Sequence, residues 1–242
     1  MASVAIHRIT QLDLQVRSQR WLFAEQRRAD IDTHFAVKQR EKPIWNGRIL
    51  LGQNPDFDGY RFSAGYFETD FASFLAWRDW GFPDNEVFNG FGMGALRCAD
   101  GAFVLGEMGQ HTANAGRIYF PSGTPDLDDI SAGTVDMSGS VAREVEEETG
   151  LTPVDYRASP HWDCVVVGTA IAMIKILQVD VSGESLRARI EANLARQRQP
   201  ELSTIHLVYD ARDLTAEMPR FVTAFIEAQL SASSDRPGGG AE

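Results

Sequence analysis

A nine-residue stretch near the middle of the chain constrains the fold more than any other feature of the sequence. It reads Arg-Glu-Val-Glu-Glu-Glu-Thr-Gly-Leu and spans residues 143–151. On a helix, residues three and four apart share one face, so Glu144, Glu147 and Glu148 lie within an arc of roughly 100°. The stretch therefore predicts a helix with a narrow acidic face.

Local signals mark the two ends of this helix. Asp136 is a residue type that caps helix N-termini, and Gly150 is the type that ends helices. Val141 and Val145 lie beside the acidic face, where they can anchor the helix to a sheet. We predict a helix over residues 137–149 that packs on a sheet.

The acidic face has a chemical consequence. Three carboxylates on one face repel each other unless a cation sits between them. Sites made of oxygen ligands suit hard divalent ions, with Mg²⁺ first and Mn²⁺ as an alternative. Glutamate runs on helices are also common as plain solvated faces, so these residues taken alone leave both interpretations open.

The surroundings of the glutamates resemble the second half of the Nudix box, which reads Arg-Glu-aliphatic-x-Glu-Glu-x-Gly-aliphatic. The matching positions are Arg143, Glu144, Val145, Glu147, Glu148, Gly150 and Leu151. The resemblance implies an α/β (α+β) fold, the Nudix-like α/β/α sandwich, and hydrolysis of a nucleoside diphosphate linked to a group X. It also implies that Glu144, Glu147 and Glu148 bind Mg²⁺. Arg143 would orient a glutamate through a salt bridge.

The first half of the box departs from the Nudix pattern. Counting back from Arg143, the places of the usual glutamate and glycine are taken by Val135 and Asp129. Gly123 resembles a displaced box glycine, which makes the loop over residues 124–135 longer than the standard one. We expect this loop to lie beside the glutamates and to shape the substrate pocket.

Candidates for the remaining catalytic roles lie outside the matching half of the box. Asp136 can replace the missing acid, and helix capping explains it equally well. Glu144 or Glu201 can act as the general base that takes a proton from water. Glu201 lies just before a predicted strand, where an ordinary loop glutamate is the simpler interpretation.

Substrate-binding candidates are Arg117, Phe120 and Gly123. The segment over residues 116–123 partly resembles a signature of the coenzyme A diphosphatases, which keeps coenzyme A as a minor substrate option. Arg48 and Arg61 are further cations that can hold phosphates or remain surface charges.

The N-terminal third is rich in aromatic residues, of which most are expected in the core and some can stack on a base or sugar. They are Trp45, Tyr60, Phe62, Tyr66, Phe67, Phe71, Phe74, Trp77 and Trp80. Thr69 is a candidate N-cap for a helix over residues 70–80. Farther along, Asp100-Gly101 between two apolar runs predicts a hairpin.

Strand-like runs occur both in hairpins and next to helices, which predicts a mixed sheet with helices on both faces. We expect a single domain over residues 1–230, with an N-terminal helical extension over about residues 1–42. The Gly-rich segment over residues 231–242 is expected to be a flexible tail.

Charge narrows the choice of partner. The chain has 23 basic and 34 acidic side chains, a net charge of −11, which disfavours binding to the nucleic-acid phosphate backbone. Cys98 and Cys164 are too few for a disulfide framework. No signal-peptide or membrane-spanning pattern is evident, so we expect a cytoplasmic protein with a small nucleotide-type substrate and no nucleic-acid or membrane partner. A homodimer is a further option.

Two classes of function remain. One is an enzyme: a Mg²⁺-dependent pyrophosphohydrolase acting on compounds such as ADP-ribose or a nucleotide sugar. The other is a catalytically idle Nudix-fold module that binds a ligand or a protein. The intact glutamates favour the enzyme.

Overall fold

The computed structural model describes residues 3–234, which form one mixed sheet and its covering helices. The strands are β1 (Val4–Ile9), β2 (Gln11–Val16), β3 (Arg48–Asp58), β4 (Arg61–Asp70), β5 (Val87–Cys98), β6 (Phe103–Met108), β7 (Ile118–Tyr119), β8 (Ser122–Gly123), β9 (Ile130–Ser131), β10 (Thr134–Val135), β11 (Arg157–Ala158), β12 (Trp162–Val167), β13 (Ala170–Val179) and β14 (Leu202–Val208). The helices are α1 (Leu22–Gln26), α2 (Arg28–Glu41), α3 (Phe71–Asp79), α4 (Met137–Thr149), α5 (Gly183–Leu194) and α6 (Arg220–Ser234).

The sheet is organised around β5. The strands follow the order β1-β12-β13-β5-β3-β4-β2-β10-β9. The pairs β5–β13 and β2–β4 are parallel, and the other pairs along this path are antiparallel. One end of β5 also pairs with β6, which in turn pairs with β14. The middle of β5 pairs with β8. The predicted mixed sheet is confirmed, and so is the hairpin at Asp100-Gly101, which joins β5 to β6.

Helices cover both faces of β5. Gly92 and Gly94 lie under α4, where an added Cβ would come within 2.6 Å of Val141 Cγ2 or 2.5 Å of Val145 Cγ2. Phe91 points to the opposite face because side chains alternate along a strand. It packs edge-on against Phe221 of α6, with ring centroids 5.3 Å apart. The predicted α/β sandwich is confirmed.

A second hydrophobic core lies between the helices α1, α2 and α3 and the strands β3 and β4. Its largest members are Trp21, Phe35, Phe67, Phe74 and Trp77. Trp21 packs edge-on against both Phe67 and Trp77, at centroid distances of 5.8 and 6.0 Å. The chain therefore adds a helical layer to the sheet beyond α4, α5 and α6.

The expected helical extension over residues 1–42 is helical only from Leu22 onward. β2 alternates polar and apolar side chains, which is the period of a strand, whereas β1 begins with three apolar residues. β1 pairs with β12 and β2 pairs with β4, and Ile9 and Leu14 are buried in the main core. Both strands are thus part of the sheet, which buries Ile9 and Leu14.

Two further boundaries differ from the sequence-based expectation. Asp70, not Thr69, caps α3, and its carboxylate accepts a hydrogen bond from Ser73 N at 2.9 Å. α6 continues to Ser234, so the first four residues of the expected tail are helical, while residues 235–242 lie outside the described part of the chain. Between residues 3 and 234, no helix is long and apolar enough to cross a membrane.

Candidate active site

Helix α4 has the limits that the sequence predicted. The Asp136 carboxylate accepts a hydrogen bond from Gly139 N at 2.9 Å, and Gly150 ends the helix with φ 75°. Val141 and Val145 sit against the glycines of β5. The close packing fixes the rotation of α4 about its axis, so the acidic face is directed at β8 and the loop that follows it.

Glu148 is the most buried of the three glutamates, with 4% of the residue exposed. Burial raises the pKa of Glu148 well above its usual range, and the charges of Glu144 and Glu201 raise it further. A hydrogen bond donated by the Ser122 backbone N–H opposes this effect. A carboxylate in this position favours the approach of a positive charge.

Glu144 lies against the backbone of β8. A Cβ added to Gly123 would be 2.2 Å from Glu144 Oε1, so only glycine leaves room for this carboxylate. Burial raises the pKa of Glu144 to about 7, and the charges of Glu147 and Glu201 contribute in the same direction. Arg143, whose Nη1 donates to Glu144 Oε1 at 3.2 Å, opposes the rise.

Glu147 lies on the same face but is exposed over 61% of its side chain, 4.0 Å from Arg143. Among residues 3–234, no group of three or more acidic, histidine or cysteine side chains is gathered tightly enough to hold a metal ion as it stands. The donors nevertheless fit a hard divalent ion in their chemistry, because all are carboxylate oxygens. Burial also makes the charged forms of Glu144 and Glu148 costly without a cation.

Arg143 also pairs with an acid of the loop, Asp129. Arg143 Nη2 donates to both Asp129 oxygens at 3.0 Å, and Asp129 is buried. Ser140 Oγ and Asp126 N also donate to this carboxylate, at 3.2 and 3.0 Å. Asp136 caps the helix, which is one of the two roles expected for it, and the carboxylate that meets Arg143 in the loop is Asp129.

Asp129 reaches this position because the loop turns back on itself. Residues 127–129 form a 3₁₀ turn in which Asp126 and Asp129 cap each other's backbone. The turn lies against α4, so the loop that precedes the helix is beside the glutamates, as expected from the sequence.

Glu201 lies close enough to the other acids to act on them electrostatically. Its charge contributes to the raised pKa values of Glu144, Glu148 and Tyr119. Its backbone oxygen accepts a hydrogen bond from Gly109 N at 2.7 Å, which fixes the start of β14 beside the site. The fold thus brings this exposed residue from a distant part of the chain to the α4 glutamates.

A pocket of about 430 Å³ opens next to Gly123, and Arg117 lines it. Phe120 does not, because its side chain is fully buried between Phe103 and Phe225, with ring centroids 5.8 and 5.7 Å away. The assignment of Phe120 to substrate binding is therefore corrected to a place in the core.

The other candidate arginines are engaged elsewhere. Arg48 Nε bonds Glu68 Oε1 at 2.6 Å, and Arg61 lies 3.8 Å from Asp58. Of the N-terminal aromatic residues, Phe71 and Phe74 line the pocket. Arg78 also lines the pocket and was not among the residues predicted from the sequence. The available signal was its spacing of three or four residues from Phe71 and Phe74, which places the three on one helix face.

No family model and no curated protein matches the chain. Among solved structures, 81 chains match. A Nudix hydrolase from M. smegmatis, RenU, is 12% identical with a TM-score of 0.41, and the match covers 64% of this chain and 93% of that one. A NUDIX hydrolase from Nitrosomonas europaea is 16% identical with a TM-score of 0.39, over 60% of this chain and 90% of that one.

A bifunctional NMN adenylyltransferase/ADP ribose pyrophosphatase from Francisella tularensis is 13% identical with a TM-score of 0.40. That match covers 65% of this chain and 45% of the other. At these identities and TM-scores the matches say nothing about the chemistry of this chain. The resemblance to the Nudix hydrolases rests on residues 143–151.

Proposed function

We propose that this protein is a divalent-metal-dependent hydrolase that cleaves the diphosphate of a small nucleoside diphosphate linked to a group X. The observation that carries the proposal is a pair of carboxylates on one face of α4, those of Glu144, 15% exposed, and of the buried Glu148. Their charges are costly there without a cation. A purely structural role does not account for two acids whose burial opposes their ionisation.

The metal ligands in this proposal are Glu144, Glu147 and Glu148, with Mg²⁺ as the preferred ion and Mn²⁺ as a substitute. Such an ion, when bound, supplies charge neutralisation to the diphosphate oxygens. Arg143 is held by Asp129 and keeps the carboxylate of Glu144 in place. The exposed Glu147 can turn toward the site because its side chain is not packed.

The reaction is a displacement at phosphorus. The oxygen of a water molecule forms a bond to one phosphorus, the bridging phosphorus–oxygen bond breaks, and the departing phosphate keeps the electron pair. The water proton passes to a carboxylate oxygen of Glu201 or Glu144. Glu201 suits the role of base because it is exposed and close to both buried acids.

A substrate screen tests the proposal. We expect purified protein with Mg²⁺ to release phosphate-containing products from one or more of ADP-ribose, ADP-glucose, UDP-glucose, diadenosine polyphosphates, NADH and coenzyme A. Excess chelator should abolish turnover. In oxygen-18 water, one phosphate product should carry the label and the sugar hydroxyls should not.

Two results would contradict the proposal. Label in a sugar hydroxyl would show that the bond broken is not a phosphorus–oxygen bond of the diphosphate. The absence of hydrolysis across the whole screen would leave a catalytically idle Nudix-fold binding module as the better description.

A further inference from the structure

The pocket beside Gly123 has aromatic walls from two distant parts of the chain. Phe71, Phe74 and Phe82 come from α3 and the turn that follows it, whereas Phe91 and Phe221 come from β5 and α6. Aromatic faces of this kind stack on planar rings. The volume of about 430 Å³ lies in the range of small-ligand sites.

The charge of the pocket is opposite to that of the molecule. Among the described residues that line it, the charged ones are Arg78 and Arg117, both cationic, in a chain with a net charge of −11. Arg78 Nε donates to Asp79 Oδ1 at 3.1 Å, so part of its charge is already balanced. Asn89, Thr124 and Thr169 add polar groups that can donate or accept hydrogen bonds. The lining therefore suits a ligand that is planar, aromatic and anionic.

Phe82 is presented to the pocket by an unusual backbone. Its φ is +59°, after Gly81 at +79°, and a bulky residue in this region is an outlier that costs free energy. Phe82 N donates to Trp77 O at 2.8 Å, and the two rings meet edge-on at 4.7 Å. These contacts hold an aromatic ring that is still 38% exposed at the pocket wall.

Tyr119 connects this pocket to the acidic site. Its side chain lines the pocket, and the charges of Glu144, Glu148 and Glu201 act on its hydroxyl. Ser122, whose N–H bonds Glu148, lines the pocket as well. The pocket therefore lies next to the carboxylates of Glu144 and Glu148.

We propose that this pocket binds the base of a nucleoside monophosphate unit, and that helix α3 with its following turn selects the substrate. Phe82 supplies a stacking surface and Arg78 a charge for the phosphate. That the bound nucleotide is one half of a cleavable substrate rests on the function proposed above. That a nucleotide binds in the pocket does not.

The binding of AMP, GMP, UMP and ribose 5-phosphate to the metal-free full-length protein tests this inference by calorimetry. We expect at least one nucleotide to bind about tenfold or more tightly than ribose 5-phosphate, which lacks the base.

Phe82→Leu keeps the bulk against Trp77 but removes the aromatic face, and it should weaken the binding of that nucleotide about tenfold. Arg78→Met should weaken the nucleotide and reduce the salt dependence of its binding. Tyr60→Ala removes an aromatic residue that is 64% exposed outside the pocket, and should change nothing.

Equal affinity for ribose 5-phosphate and all three nucleotides, no binding of any nucleotide, or unchanged nucleotide affinity in both Phe82→Leu and Arg78→Met would overturn the inference. Thermal unfolding of each variant checks that it is folded.

The same titration of Glu148→Gln separates the pocket assignment from the proposed reaction. If this variant and the wild type bind the nucleotide equally but the wild type hydrolyses no diphosphate, the pocket assignment stands and the proposed reaction fails. If the wild type hydrolyses a diphosphate but neither Phe82→Leu nor Arg78→Met changes nucleotide binding, the proposed reaction stands and the pocket assignment fails.

Discussion

At the scale of single residues, the carboxylates of α4 are placed where the surrounding protein works against their charge. Glu148 is almost fully buried, and Glu144 is held between Arg143 and the backbone of Gly123. Selection for stability alone favours neutral side chains at positions removed from solvent. Substitutions that separate the charge of these residues from their shape are therefore informative.

Glu148→Gln keeps the shape of the side chain and removes its charge. We expect turnover to fall by roughly 100-fold or more, the size of effect seen when an electrostatic group of an active site is removed. The free energy of unfolding should stay the same or rise, because a buried charge is lost. Glu146→Gln, on the exposed side of the same helix, is the matched control and should change neither quantity. Wild-type turnover in Glu148→Gln would contradict the assignment.

Asp129→Asn tests the ion pair between Asp129 and Arg143. Removing the charge leaves Arg143, which is 35% exposed, without its buried partner, and should cost about 1–3 kcal/mol of unfolding free energy. Turnover should fall as well, because Arg143 no longer holds Glu144. In Asp136→Asn the helix cap is preserved, since Asn caps as well as Asp, and both quantities should stay near wild type. Equal effects of the two substitutions on turnover would refute the distinct role of Asp129.

Gly123→Ala tests the close approach of Glu144 to β8. The new Cβ would stand 2.2 Å from Glu144 Oε1, so the carboxylate must move while the rest of the fold can remain. We expect lost turnover with a small change in melting temperature. Gly65→Ala is the control, because its Cβ would meet no heavy atom closer than 3.4 Å. A fully active Gly123→Ala enzyme would show that the position of Glu144 is not important.

At the scale of elements, α3 matters most beyond α4, since it joins the second core to the pocket. Trp77 faces the core with no exposed surface, whereas Phe71, Phe74 and Arg78 line the pocket. Its start is fixed by Asp70, which accepts from Ser73 N and pairs with Arg28 Nη2 at 3.0 Å. The orientation of the pocket wall thus depends on one carboxylate.

Asp70→Ala should lower the unfolding free energy by about 1–3 kcal/mol through loss of the cap and of the ion pair. Burial by itself would raise the pKa of Asp70, but the bonds from Ser73 and Arg28 outweigh it and hold the pKa below its usual range. The stabilisation is therefore present above the ordinary pKa of about 3.9 and is lost as the pH falls through the lower folded pKa. Denaturation of both proteins between pH 3 and pH 7 should show the difference shrinking in acid. A difference that grows in acid would contradict this.

At the scale of the whole molecule, two hydrophobic cores share one sheet. Leu50 belongs to the main core and Leu51, the next residue of β3, to the second core. Alternation along the strand therefore directs neighbouring side chains to opposite faces. Such an arrangement couples the stability of the N-terminal helices to that of the sheet that carries the acidic site.

Ile31→Ala tests this coupling, because Ile31 in α2 is fully buried in the second core. We expect a loss of about 2–5 kcal/mol, with one transition that is the same by tryptophan fluorescence and by far-ultraviolet circular dichroism. Val37→Ala, at a position 46% exposed on the same helix, should change stability little. An early fluorescence transition that is absent from the circular dichroism would mean that the helical layer unfolds separately, against the expected single domain.

Features whose signals are local along the chain could be predicted before the structure was known. The limits of α4 follow from Asp136, Gly150 and an apolar period that are all contained in fifteen residues, and the hairpin at Asp100-Gly101 follows from a single turn. The acidic face was equally predictable, because helix geometry alone brings residues three and four apart together.

Tertiary structure decided the partners that lie far apart along the chain. Asp129 rather than Asp136 meets Arg143 because a 3₁₀ turn folds the loop back on α4, and no local pattern specifies that turn. Phe120 went to the core because packing between the sheet and α6 fills its surroundings with aromatic rings, and Phe82 went to the pocket because contacts with Trp77 hold its backbone at positive φ. Local propensity fixes an element and its faces, whereas the burial of each face depends on which distant surface it meets.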